Sequence, residues 1–258
     1  ILDGNFLGTP FNAMDDALHV VSITGVAGLN GNPGVVIDGF QIRNGYATLG
    51  VGGAGILSVA SDLDLANCFV RSNHAVTPVG VTDFGGGLYF TSMNGGIEPT
   101  IGYRLRIKNC EFEDNSAWEG GGIYGDCLQG EIVNTKFFDN QSAANGAGVY
   151  LARMGTENQL KFTNCVFLGN VCLSGSFNSQ GGGLYLGTAN GVGSGGNARL
   201  VNCTFAGNQC NGQTLLDGQA LGISPSSQAT VYNSILFWNN SDGQGNLKPI
   251  DGPATVEY

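Results

Sequence analysis

The stretch NCEFEDNSAWEGGGIY, Asn109 to Tyr124, recurs in close variants along the chain, and its repetition decides the architecture. Its first half, N-C-x-F-x-x-N, reads NCEFEDN at 109–115, NCVFLGN at 164–170 and NCTFAGN at 202–208. Looser copies are NCFVRSN at 67–73, NTKFFDN at 134–140 and NSILFWN at 233–239. The second half is a glycine-rich tripeptide followed by an aliphatic residue and often Tyr: GGGLY at 85, GGGIY at 120, GAGVY at 146 and GGGLY at 181, with weaker versions GAGIL at 53 and GQALG at 218. Self-similarity at a period of tens of residues marks a solenoid, whose core grows by one layer per repeat.

Each layer holds three short apolar stretches with no helical periodicity between them. From Asn109 to Asn134 a whole layer takes 25 residues, too few for a four-stranded propeller blade of about 40. The pattern predicts an all-β fold, a right-handed parallel β-helix with three strands per turn and about seven to eight coils, in a single domain over 1–258. The variant GVVIDGFQIRN at 34–44 places Phe40 and Ile42 in the Cys and Phe roles. Longer layers carry their excess after the motif Asn and after the glycine-led strand, so both insertions flank that strand. The chain opens on ILDGN and closes on ATVEY, a strand with no terminator. Because a solenoid needs polar caps over its end layers, a fragment of a longer chain is expected.

In a parallel β-helix, equivalent side chains of successive layers lie about 4.8 Å apart. Asn suits such stacking, since its amide donates to the carbonyl of the next Asn. Two ladders are predicted at sharp bends: Asn67, Asn109, Asn134, Asn164, Asn202 and Asn233; and Asn73, Asn115, Asn140, Asn170, Asn208 and Asn239. Cys68, Cys110, Cys165 and Cys203 share one position with Thr135 and Ser234, which reads as core filling rather than a metal or redox site. Cys172 and Cys210 occupy one position in neighbouring layers. A disulfide is one reading of that pair; small interior residues are the other, since Ala75, Ala117 and Ser142 stand there elsewhere. Cys127 has no evident partner among seven cysteines.

Alternation turns Leu88, Ile123, Val149 and Leu184 inward, and so Tyr89, Tyr124, Tyr150 and Tyr185 outward on four consecutive layers. Such a stripe can stack on sugar rings or on another protein, or its rings can shield the sheet by stacking on each other. Asp114 and Asp139 take equivalent positions one layer apart. Ca²⁺ held by carboxylate and carbonyl oxygens is one reading of this pair, a solvated acidic face the other. With two histidines a three-His zinc site is excluded within this sequence. A formal net charge of −10 disfavours phosphate backbones and anionic lipid, so nucleic acid is not an expected partner. No apolar run reaches the roughly 18 residues of a membrane helix, and no membrane insertion by this segment is expected.

Repeats that combine F-x-x-N (Phe112 to Asn115, Phe137 to Asn140, Phe167 to Asn170, Phe205 to Asn208) with glycine-small-aliphatic motifs (Gly85 to Leu88, Gly120 to Ile123, Gly146 to Val149, Gly181 to Leu184) resemble the polymorphic outer membrane proteins of chlamydiae and bacterial secreted β-helix repeat proteins. The resemblance covers nearly the whole chain. It implies the pectate-lyase-like superfamily architecture and a non-catalytic segment, extracellular or on a bacterial cell surface, serving as a structural spacer or as an adhesin surface that contacts glycan or protein. The wider β-helix class also contains polysaccharide lyases and glycoside hydrolases acting on acidic polysaccharide, which is the alternative. Of a polygalacturonase-like site only the Arg-Ile-Lys strand, Arg106 to Lys108, is present, at a repeat position where ARL and LKF stand in other layers.

Overall fold

The structure, a computed structural model, describes residues 1–5, 18–28, 34–48, 50, 52–75, 82–92, 103–126, 128–152, 159–173, 179–188, 195–210, 219–237, 239 and 250–257. Among them there is no helix, and hence none long and apolar enough to cross a membrane. Strands pair in parallel into three eight-stranded sheets and one six-stranded sheet. Neighbours within a sheet come from consecutive layers, so each turn of the chain visits every face before returning one layer on. This is the expected parallel β-helix, and eight strands per long sheet match the seven to eight coils.

The three strands expected per turn are joined by a fourth of only two residues, directly after the inner motif Asn, as in Ser116–Ala117, Gln141–Ser142 and Val171–Cys172. Two residues are too few to show a period of two, and in the sequence this strand merges with the loop that follows it.

The core is continuous along the helix axis. Phe112, Phe137, Phe167 and Phe205 are fully buried and stack in register, with ring centroids 5.4, 4.8 and 4.3 Å apart. Val70 and Leu236 continue the column at its two ends. Opposite them, Leu88, Ile123, Val149 and Leu184 are fully buried on the glycine-led strands. Each such side chain contributes about 1.5–3 kcal/mol by burial. In the early layer Ile42 pairs with Val70 and is buried as expected. Phe40 differs: it stands in the Cys position, its amide 3.4 Å from the Cys68 sulfur, but is 40% exposed. That bend admits Cys, Thr or Ser, and a phenyl ring is too large for it.

Both asparagine ladders form, and they differ in kind. The first is exposed: each Nδ2 donates to Oδ1 of the preceding layer at 2.8–3.2 Å, from Asn233 down to Asn67, which itself donates to Asp38. Its members all have φ between 42° and 54°, the left-handed bend that Asn tolerates. The second is buried, and each Nδ2 donates forward, to Oδ1 of the following layer at 2.9–3.0 Å. A second hydrogen on each of these amides goes to a strand carbonyl, such as that of Phe112 for Asn140. The left-handed residue here is the one before the Asn, namely Ser72, Asp114, Asp139, Gly169 and Gly207, and Asn44 takes the same place ahead of Gly45.

The cysteine column sits beside the first ladder. Cys110 lies with its sulfur 3.4 Å from the Cys68 amide, and the Thr135 hydroxyl takes the same place for the Cys110 amide. Each side chain also points back to the carbonyl two residues earlier. Cys, Thr and Ser interchange here because each is small and can both accept and donate, which sharpens the reading as core filling.

Candidate functional site

The glycine-led sheet carries one outward column whose members, in register, are Ser22, Leu57, Tyr89, Tyr124, Tyr150, Tyr185, Gly222 and Asp251. The tyrosines point away from the main core, as alternation requires, and form a second apolar cluster with Phe84 and Ala152. Tyr124 and Tyr150 stack at 4.9 Å with 11° between rings, and both are buried. Tyr89 and Tyr185 flank them half-buried, at 5.5 and 5.1 Å. Their mutual contact shields the middle of the stripe, and of the four rings Tyr150 and Tyr185 border a cavity. Burial pushes the Tyr124 hydroxyl well above its ordinary range and raises that of Tyr185, where Glu119 and Asp251 add to the effect.

Beside this column runs a second one that the repeat reading does not single out. The first glycine of each triplet has φ between 61° and 67° in Gly53, Gly85, Gly120, Gly146 and Gly181, a conformation that costs glycine nothing. The residue just before it projects next to the tyrosines, and successive layers place Phe84, Glu119, Asn145 and Gln180 there, linked by backbone bonds. The column is joined in turn: Asn145 Nδ2 donates to Glu119 Oε1 at 3.4 Å, the Gln180 backbone N–H to Asn145 Oδ1 at 2.9 Å, and Gln180 Nε2 to Asp251 Oδ2 at 3.3 Å. Burial pushes the Glu119 carboxyl up to about 7, with the Asn145 hydrogen bond opposing the shift. The signal in the sequence is the polar letter before each triplet in WEGGG, NGAG and QGGG.

Three cavities adjoin one another here, the first beside the two-residue strands and the other two along these rails. One of about 340 Å³ is lined by Ser116, Ala117, Trp118, Gln141 and Leu173. The next, about 320 Å³, is lined by Phe84, Trp118, Glu119, Asn145, Tyr150 and Tyr185. The third, about 550 Å³, takes in Gln180, Tyr185, Ser224, Asp251 and Pro253. Trp118 borders the first two, and Tyr185 borders the last two. The third opens where the tyrosine column breaks at Gly222: a Cβ there would lie 2.8 Å from the Tyr185 ring and 2.7 Å from Gln180 Cβ.

The other residues singled out in the sequence lie elsewhere. Asp114 and Asp139 are exposed, at the bend just before the two-residue strand, at φ 52° and 49°. Asp114 accepts a hydrogen bond from the Ser72 hydroxyl at 3.2 Å. Among the described residues no group of three or more His, Cys, Asp or Glu gathers around a common point. Cys172 and Cys210 are in register and fully buried as thiols, their sulfurs 3.1 Å apart. Cys127 falls outside the described residues. Arg106 is paired with Asp64 of the preceding layer, and this pairing raises its pKa.

No curated protein and no solved structure matches this chain. The family model described as a right-handed β-helix region matches residues 19–245, which include every layer of the groove up to Ser224 and Pro225, and the chain therefore belongs to the right-handed β-helix family.

Proposed function

We propose that this chain is a rigid extracellular β-helix segment that holds a glycan in the groove between its tyrosine column and the polar column Glu119, Asn145 and Gln180. The observation that carries the reading is the run of three adjoining cavities separated by Trp118 and Tyr185. Aromatic faces take the apolar faces of sugar rings, and amides and carboxyls beside them take the hydroxyls. The likeness of the repeats to chlamydial surface adhesins supports the same reading, as does a framework of stacked sheets that holds these side chains without a moving part. Replacing Trp118 or Tyr185 by Ala should abolish retention in glycan affinity electrophoresis while leaving the β-sheet circular dichroism unchanged. Retention that survives both substitutions places the glycan elsewhere.

A second reading, hydrolysis of the bound glycan, is favoured by the Glu119 carboxyl, raised to about 7 by burial. A general acid works best with a pKa near the operating pH, and Asp251 of the adjoining cavity is the available carboxylate partner. Release of reducing ends by the wild-type chain, lost in Glu119→Gln, supports hydrolysis; binding without release leaves the adhesive role.

A further inference from the structure

We infer that the groove selects uncharged glycans and rejects uronate-bearing ones, an inference that rests on the glycan reading above. The eight described Lys and Arg side chains, Arg43, Arg71, Arg104, Arg106, Lys108, Lys136, Lys161 and Arg199, all lie on strands of the other two long sheets. Several are engaged there: Arg43 with Asp3, Arg106 with Asp64, Lys136 with Glu111, and Arg199 over the Tyr232 ring. On the groove face the described ionisable side chains of the polar rail and its continuation are carboxyls, Glu119 and Asp251, and no described Lys or Arg lines any of the three cavities.

A uronate ring carries a fixed negative charge at each residue. A site that binds it supplies Arg, Lys or a bridging divalent cation. Here such a ring would meet carboxyls of its own sign, in a chain of formal net charge −10, and repulsion within a partly buried groove is screened less than at an open surface. A neutral sugar meets acceptors instead: its hydroxyls donate to Glu119, Asn145 Oδ1, Asp251 and the amide oxygen of Gln180, while its ring faces lie on Trp118 and Tyr185. The Glu119 carboxyl is held up to about 7, so its repulsion of a uronate is fully developed above that pH.

The test is isothermal titration of the whole chain at pH 8, above the Glu119 value, with neutral hexasaccharides (β-1,4-glucan, α-1,4-glucan, β-1,4-mannan) and with hexagalacturonate in the presence and absence of Ca²⁺. At least one neutral hexamer should bind, more tightly than its trimer because three cavities are filled in succession, and hexagalacturonate should bind at least tenfold more weakly. Trp118→Ala and Tyr185→Ala should each weaken the neutral hexamer about tenfold. Glu119→Gln should narrow the ratio between neutral and galacturonate affinities. A galacturonate hexamer that binds as tightly as the best neutral one overturns the selectivity while leaving the groove reading standing. If no sugar of the panel binds, the groove reading itself falls.

Discussion

Along the bend from Asn67 to Asn233, six successive layers present the same side chain, each amide bonded to its neighbour at 2.8–3.2 Å, although the layers they close range from 25 to 42 residues. On the glycine-led face the tyrosine run lasts four layers and then gives way to Gly222 and Asp251, while the column beside it changes from Phe84 to Glu119 to Asn145 to Gln180. Both faces come from one repeat. Where every layer repeats the residue, each side chain satisfies its neighbour and nothing is left over for a ligand. Where the column breaks, ring faces and polar atoms are left facing a cavity. Function in a solenoid is therefore to be sought at the departures from its repeat.

The contrast can be broken most directly at the buried ladder. Asn140→Ala leaves the side-chain and backbone amides of Asn115 without their shared acceptor, and at about 1–3 kcal/mol for each orphaned donor the loss is roughly 2–6 kcal/mol, readable by urea unfolding. A loss below about 1 kcal/mol would show that the ladder is not a scaffold element. Substitution at the groove should act in the opposite sense. The folded Glu119 carboxyl holds its proton up to about pH 7 against 4.5 for the ordinary group. Between those values the folded state keeps a proton that the unfolded chain has released, so stability falls as pH rises through the window and is level above it. Glu119→Gln should thus raise stability at pH 9 by up to about 3 kcal/mol and change it little at pH 4, as thermal melts at the two pH values would show. A groove residue whose removal stabilises, set against a ladder residue whose removal destabilises, separates site from scaffold.

Smaller effects sharpen the same line. Cys172 and Cys210, with sulfurs 3.1 Å apart in adjoining layers, are expected to join when the chain folds in the presence of a dithiol–disulfide oxidant, which takes up the two electrons released with two protons. Alkylation of the unfolded chain followed by mass analysis should then find two fewer free thiols than in a chain folded under reducing conditions, and equal counts would refute the pairing. On the exposed ladder, Asn134→Ala should cost about 1–2 kcal/mol, since φ of 50° strains alanine, and Asn134→Gly should cost less. Asp139→Asn keeps the same left-handed bend and should be neutral within about 0.5 kcal/mol in EDTA. A melting temperature that rises with Ca²⁺ in the wild type and not in this variant would instead assign a cation to Asp114 and Asp139.

The legibility of the two faces differs for a physical reason. The ladders could be written down residue by residue from the sequence, because a six-residue step between asparagines repeats whatever the loops do. The outward direction of the tyrosines was equally legible. Their mutual stacking was one of two readings open for the stripe, and which rings it buries depends on how adjoining layers close over one another, as Tyr124 and Tyr150 do. Phe40 takes the Cys position as expected but is exposed there, because alternation gives direction and says nothing of the room at a bend. The Glu119, Asn145 and Gln180 column escaped notice because no two of its members are alike, and repeat alignment rewards likeness.

The two ladders donate in opposite directions along the axis, the exposed one toward the amino-terminal layers and the buried one toward the carboxy-terminal layers. Each is a file of aligned amide dipoles, and a single file would accumulate field with every added coil, as the peptide groups of an α-helix do. Run against each other, the two files largely cancel. The rod can therefore lengthen coil by coil without charging its ends, and its electrical character stays with the carboxyls of its groove.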